Sequence, residues 1–392
     1  MNPKFVFRLA LMASLLMQLA HYGSVQAGEK ITVGLNLPLT GNRQATGVSS
    51  KEGAELLREQ INSGGGLRVG NNRCEVEFVY TDNESSPQKA VAASLELITQ
   101  KNVLGIVGPN ASSSAIPAGG IAESFKTPMI SPTSTNPKTT ENRPFVFRAC
   151  FLDPFQGEVM ASFAVTDLKA TKAAVLYDIS SPYPKGLAEY FKTAFEAKAG
   201  PNSVVVFENF LTKEKDLADH LDKIVASDAD VLFLPQYSHE IPAIIEQARA
   251  RGWKKIILGG DAWESSDLMA KCGDLCKGLY YSTHFGAVGA KGKTKTFVEQ
   301  YQAKYHQLPT GYAALGYDAA DLLLTAISAV GNLDGNLIEN RAAIKDKLAA
   351  IKGFEGVSGT LDMNVAGDPV KSAVVILIND KGEFESYKIV NP

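Results

Sequence analysis

Residues 103–117 read Val103-Leu-Gly-Ile-Val107-Gly108-Pro-Asn110-Ala-Ser112-Ser113-Ser114-Ala-Ile-Pro117. The apolar run at 103–107 is a short buried strand, and a helix begins about where the three serines stand. A strand that passes through a loop into a helix N-terminus is the repeating unit of a doubly wound α/β sheet. Ligands of such sheets sit at the C-terminal ends of the strands. One serine suffices to cap a helix. Three in succession, beside free N–H groups and the positive end of the helix dipole, suit a carboxylate without any basic side chain.

The same rhythm extends to both sides. Upstream, residues 31–37 and 74–80 are strand-like and residues 49–61 and 87–100 are helical, the first helix stopping at Gly64-Gly65-Gly66. The pattern restarts near residues 145–157. Strands then follow at 173–177, 204–207, 231–234 and 256–258, with helices at 184–199, 215–227 and 241–251. Helices at 294–305, 317–330 and 341–351 precede strands at 372–378 and 384–390, which the turn Asn379-Asp-Lys-Gly382 makes a hairpin. Alternating units imply mostly parallel sheets with right-handed crossovers. With no long tether between them, two such lobes leave a hinge and a cleft.

A length of 392 residues allows two or three domains, and 39 Lys+Arg against 42 Asp+Glu leaves a net charge of −3. That balance offers no basic footprint for nucleic acid or an anionic membrane. A hydrophobic content of 45% with 21% charged residues excludes a disordered or fibrous chain. The N-terminus carries Lys4 and Arg8, an uncharged run from Leu9 to Ala20, and Val25-Gln-Ala27. These are the three parts of a secretory signal peptide, residues 1–27, cleaved near Ala27. Its apolar run is too short to cross about 30 Å of hydrocarbon. No second apolar stretch of membrane-spanning length is expected in the 365 residues that remain of 392.

Export permits disulfides. Cys272-Gly-Asp-Leu-Cys276 is spaced for a local bridge, while Cys74 and Cys150 either pair or stay buried as thiols. No dinucleotide, P-loop, zinc-protease or nucleophile-elbow motif occurs. The histidines after the leader, His220, His239, His284 and His306, stand singly. Neither a catalytic cluster nor a metal or cofactor site is expected, and the chain reads as a ligand binder rather than an enzyme.

Other strand-end loops complete the candidate site. In the first lobe, Ser131-Pro-Thr133-Ser134-Thr135-Asn136-Pro137 again sets small hydroxyls after a strand, so two loops grip one anionic group. In the second lobe the strand ends are Pro235-Gln-Tyr237, Gly259-Gly-Asp261-Ala-Trp263 and Asp178-Ile-Ser-Ser-Pro-Tyr183. Asp261 either pairs with a cationic group or caps a helix, Trp263 either closes over the ligand or packs, and Tyr183 is either cleft wall or surface cover. Hydroxyls in one lobe and a carboxylate with aromatics in the other fit a zwitterion.

At these residues the chain resembles the periplasmic Leu/Ile/Val-binding family, the type I solute-binding proteins of branched-chain amino-acid ABC importers. The resemblance covers essentially the whole chain after the leader. It is most specific from Gly108 to Thr140 and continues in Phe147-Arg-Ala-Cys-Phe-Leu-Asp153-Pro-Phe-Gln156-Gly157, Gly259-Gly-Asp-Ala-Trp263 and Gly311-Tyr-Ala-Ala-Leu-Gly-Tyr317-Asp318.

The resemblance implies an α/β fold of two doubly wound parallel-sheet lobes joined by three crossovers. Lobe 1 would be residues 28–152 and 285–354, and lobe 2 residues 153–284 and 355–392. Ser112 and Thr135 would take the ligand α-carboxylate, with Ser113 beside them. The backbone carbonyl of Thr133 and the acid Asp261 would take the α-ammonium, and Tyr183 and Tyr237 would wall the second lobe.

Three departures stand out against the family pattern: Asp261 where relatives carry Glu, Thr46 where they place an aromatic, and Trp263 as an extra bulky group at the mouth. Arg43 is near enough in sequence to Thr46 to invite a second carboxylate, or else is simply exposed. The expected function is capture of a branched-chain or other neutral amino acid in the periplasm by a monomer. The partners are a membrane permease and its ATPases, with no nucleic acid. The alternatives are an aromatic acid, an amide or urea, an acidic amino acid, or a ligand-sensing domain of the same fold.

Overall fold

The computed structural model describes residues 30–392; the leader expected at residues 1–27 lies outside the described residues. The first sheet is built from β1 (Lys30–Leu37), β2 (Leu67–Val69), β3 (Asn72–Asp82), β4 (Ile106–Val107), β5 (Met129–Ser131) and β6 (Val146–Arg148), in the order β2-β3-β1-β4-β5-β6. All its pairs are parallel except the β2–β3 hairpin. Helices α1 (Gln44–Ser63), α2 (Pro87–Thr99) and α3 (Ser112–Ser124) make the crossovers. A parallel strand covered on both faces must be apolar along its length, and Val33, Leu35 and Leu37 of β1 are fully buried.

The second sheet takes up the chain after α4 (Asp153–Thr166). Its parallel strands are β7 (Ala173–Asp178), β8 (Val204–Phe210), β9 (Val231–Leu234), β10 (Ile256–Gly259) and, further on, β11 (Tyr280–Thr283). Between them run α5 (Pro182–Ala199), α6 (Ala218–Ala226), α7 (Ile241–Ala250) and the short α8 (Leu268–Cys272). Cys272 and Cys276 form a disulfide just before β11, with Cα atoms 5.7 Å apart. Cys150 is a buried thiol, pushed up to about 12 by burial, and Cys74 is buried on β3.

The chain then returns to the first core with α9 (Gly292–Tyr305), α10 (Gly311–Val330) and α11 (Leu337–Ala349). The α10 helix, 20 residues long, is apolar enough to cross a membrane, contrary to expectation, yet 72% of its apolar window is buried inside the protein. It lies hard against α1: a Cβ at Gly53 would come within 1.9 Å of Ala313 O, and one at Gly316 within 2.3 Å of Ser50 O. Only glycine permits that approach, which brings Ser50 and Tyr312 together at the cleft.

A small antiparallel sheet of β12 (Phe354–Gly356), β13 (Gly359–Met363) and β14 (Pro369–Val370) follows, and Val357, Leu361 and Met363 pack into the first core. The expected return to the second lobe at residue 355 therefore falls later, at Lys371–Ala373, because these apolar side chains find their partners in the first core. Lys371 is pinned there: its Nζ donates to Ser358 Oγ at 2.6 Å, and Asp318 accepts from the Val357 and Ser358 amides at 2.7 and 2.9 Å. The hairpin β15 (Ala373–Ile378) and β16 (Phe384–Val390) then adds to β11, giving the second sheet the order β16-β15-β11-β10-β9-β7-β8. The chain thus passes between the two units three times, near residues 150–153, 284–285 and 371–373.

Candidate functional site

The parallel strands of both sheets deliver their C-terminal loops to one cleft. A small inner pocket of about 20 Å³ lies between the units, lined by Arg43, Thr46, Asn110, Ala111, Ser112, Thr133, Tyr183, Tyr237, Asp261, Ala262 and Tyr312. An outer cavity of about 470 Å³ shares Arg43 and Thr46 with it and opens past Ser49, His239 and Asp267. Asn42 Nδ2 donates across that outer cleft to His239 Nε2 at 2.9 Å, and burial drops the imidazole to about 4, so the ring is neutral and accepts. An inner space of this size holds roughly one or two waters. A solute therefore enters only when the units stand further apart.

The first wall is made of hydroxyls and backbone. Helix α3 starts at Ser112, its N-cap Ala111 offers no side-chain cap, and the leading amides have no acceptor within the helix. Ser134 Oγ donates to Ser112 Oγ at 2.9 Å, and Thr133 Oγ1 to Asn110 O at 3.2 Å, tying the two loops together. Thr135 does not line the inner pocket; its Oγ1 is buried beside the Asp153 carboxyl. Ser113 is half-buried at the cleft, near the Tyr237 hydroxyl. Behind this wall Arg148, 0% exposed, donates from Nε to Asp368 Oδ1, from Nη1 to Ser134 O (both 2.6 Å) and from Nη2 to Thr140 Oγ1 at 2.8 Å. That buried cation braces the loop from Ser134 to Thr140.

The second wall carries the charge. Asp261 Oδ1 accepts from the Tyr183 hydroxyl at 2.8 Å and from Gln156 Nε2 at 2.7 Å, and Oδ2 lies 3.1 Å from His284 Nε2. Burial pushes His284 below its usual value against the pull of Asp261, so the neutral ring donates. Burial holds Tyr183 well above its usual range, so its hydroxyl remains a donor. The Tyr237 ring lies 5.3 Å from the Tyr183 ring, and the Arg43 guanidinium sits over Tyr237 at 4.9 Å. Asp153, the first residue of α4, is fully buried with neither carboxyl oxygen hydrogen-bonded. Burial and then the Asp261 charge push it to about 8, against the nearby Thr135 hydroxyl and Arg148.

Trp263 is not at the mouth. It is 0% exposed in the second core, with Nε1 donating to Leu234 O at 2.8 Å. A Cβ at Gly259 would fall 2.1 Å from its ring, so the bare glycine backbone of β10 makes the slot that swallows the indole. The residues that sequence reasoning missed are Asn110, Asp153, Gln156, His284 and Tyr312. All five lie in or next to segments already singled out by pattern, but their side chains find their partners only in the folded chain. Among the described residues no group of His, Cys, Asp and Glu is placed to hold a metal ion.

Two α/β units hinged by three crossovers, with a hydroxyl-lined helix terminus facing a buried carboxylate, define a two-lobed solute-binding protein. The comparisons agree. The family profile described as periplasmic binding protein matches residues 30–382, and the chain belongs to that family. It is 27% identical to the Leu/Ile/Val-binding protein homolog 3 of Brucella melitensis over 98% of this chain and 99% of that one. Among solved structures, a leucine-binding protein from Thermotoga maritima is 32% identical, covers 92% of this chain and 99% of its own, and superposes with a TM-score of 0.84. A branched-chain amino-acid transporter substrate-binding protein from Streptococcus pneumoniae, solved with isoleucine, is 30% identical over 93% of this chain and 100% of its own, also at 0.84.

Proposed function

We propose that this chain is the substrate-binding component of an ABC importer and captures a neutral α-amino acid between its lobes. The observation that carries the reading is the opposition, across one closed pocket, of the α3 N-terminus with Ser112 and the buried carboxylate of Asp261. The α-carboxylate sits at Ser112 with Ser113 beside it, while Thr135, off the pocket beside Asp153, backs the loop rather than meeting the ligand. The α-ammonium sits between Thr133 O and Asp261, and Tyr183 and Tyr237 close over the solute from the second lobe. The lobes are residues 28–152 with 285 to about 370, and residues 153–284 with the C-terminal hairpin. Similarity to binding proteins of leucine and isoleucine supports an amino acid as the cargo. The closed form is stabilised only by contacts that span both lobes, so the first wall alone binds weakly.

In the cell the protein works as an exported monomer and presents its closed, loaded form to a membrane permease with cytoplasmic ATPases. No step of chemistry is assigned to it. The test is a thermal-shift panel of the 20 amino acids and small carboxylic acids on the chain lacking residues 1–27. At 100 times its dissociation constant the cognate amino acid adds about 2.7 kcal/mol of apparent stability. A shift with no amino acid overturns the reading.

A further inference from the structure

The inner pocket contains no aliphatic side chain larger than alanine: its apolar surface is Ala111, Ala262 and the faces of three tyrosines. On the first wall two polar groups have nothing to bond. Arg43 donates from Nη2 to Ser85 O at 2.6 Å, but its Nε is buried without an acceptor, and no carboxylate pairs with it among the described residues. Asn110, 3% exposed, has its Oδ1 buried without a donor.

The orientation of that amide is set by its neighbours. Asn110 Nδ2 points at Ser50 Oγ (3.0 Å) and at Thr46 O (3.4 Å). Ser50 has already given its proton to Tyr312 O at 3.1 Å, and a carbonyl oxygen has none to give. Turning the amide over would set its oxygen against two acceptors. Two residues that line the pocket with Thr46 therefore carry one unmet donor and one unmet acceptor.

Resting on the amino-acid reading above, we infer that the side chain of the cargo is neutral and both donates and accepts: a hydroxyl or a carboxamide on a short stem. An aliphatic side chain leaves Arg43 Nε and Asn110 Oδ1 buried and unpaired, which costs each its desolvation. A carboxylate satisfies Arg43 but brings negative charge against the Asn110 oxygen, which cannot turn away. A hydroxyl or carboxamide meets both, and sites built around such groups reject analogues that lack them more strongly than apolar pockets reject a missing methyl.

The experiment is calorimetric titration of the chain lacking residues 1–27 with Ala, Ser, Val, Thr, Leu, Ile, Asp, Asn, Glu and Gln. The expected result is that a hydroxyl or carboxamide amino acid binds tightest. It should exceed its near-isostere (Ala for Ser, Val for Thr, Asp for Asn, Glu for Gln) by at least tenfold. In Asn110→Leu that ratio should fall below threefold. An aliphatic or acidic amino acid binding tightest, a wild-type ratio under tenfold, or a ratio that stays above threefold in Asn110→Leu overturns the inference. If the variant does not fold, the wild-type ranking decides alone. If no amino acid in the panel binds, it is the amino-acid reading itself that fails.

Discussion

The two walls of the cleft solve opposite halves of one problem by different means. In the proposed complex the first wall would meet the α-carboxylate with hydroxyls and the amides of a helix terminus, while the buried Arg148 faces away from the pocket into Asp368 and the loop. The second wall would meet the α-ammonium with a carboxylate, Asp261, kept in a ring of donors from Tyr183, Gln156 and His284. Dipoles spread their effect over many atoms of one rigid lobe, whereas the carboxylate concentrates it in one side chain that moves with the other lobe. The walls should therefore fail differently when cut.

The largest effect is expected behind the first wall. Arg148→Met leaves Asp368, 6% exposed, without its partner, and removing one member of a buried pair costs about 3–5 kcal/mol. Urea unfolding measures it, and a loss under about 1 kcal/mol would mean the loop stands without its brace. Next comes the second wall: Asp261→Asn should cost about 2–4 kcal/mol in amino-acid affinity by calorimetry, since a buried charged partner is lost. Ser112→Ala should cost less, about 1.5–3 kcal/mol, because the remaining donors of the first wall stay in place. Equal losses in the two variants would break the contrast between a shared and a concentrated grip.

How far could a reader of residues alone have seen this? Strand β9 was legible because Val231–Leu234 is a short apolar run between turn residues, and the β15–β16 hairpin because its turn spells itself out. Helix α4 was not, since its apolar residues are spread around the helix and show no amphipathic period. The small β12–β14 sheet was invisible because strands of two to five residues carry too little pattern. In the site, Ser112, Thr133, Tyr183, Tyr237 and Asp261 sit where strand ends meet loops, which pattern locates. Trp263 was misplaced because loop position says nothing of which way an indole packs. Asn110, Gln156 and His284 found partners only in the folded chain, Asn110 with Ser50 across 60 positions, Gln156 with Asp261 across 105 and His284 with Asp261 across 23.

A last effect is spread over pH. The folded chain keeps the Asp153 proton until about pH 8, while an unfolded chain releases it near 3.8. Between those values the folded state binds more protons, so unliganded stability falls as pH rises through the window, by at most about 1.4 kcal/mol per unit for this one group. Asp153→Asn should flatten that slope in a series of urea melts from pH 4 to 8. An unchanged slope would remove Asp153 from the charge balance of the second wall.

The central claim, that one zwitterion is held between unlike walls, is tested most directly by one calorimetric comparison. The best-binding amino acid is titrated alongside its α-hydroxy acid, which keeps the carboxylate and side chain but replaces the ammonium. Two-walled recognition predicts at least a hundredfold weaker binding of the hydroxy acid, because Asp261 then faces no cation. Affinities within threefold of each other would contradict it.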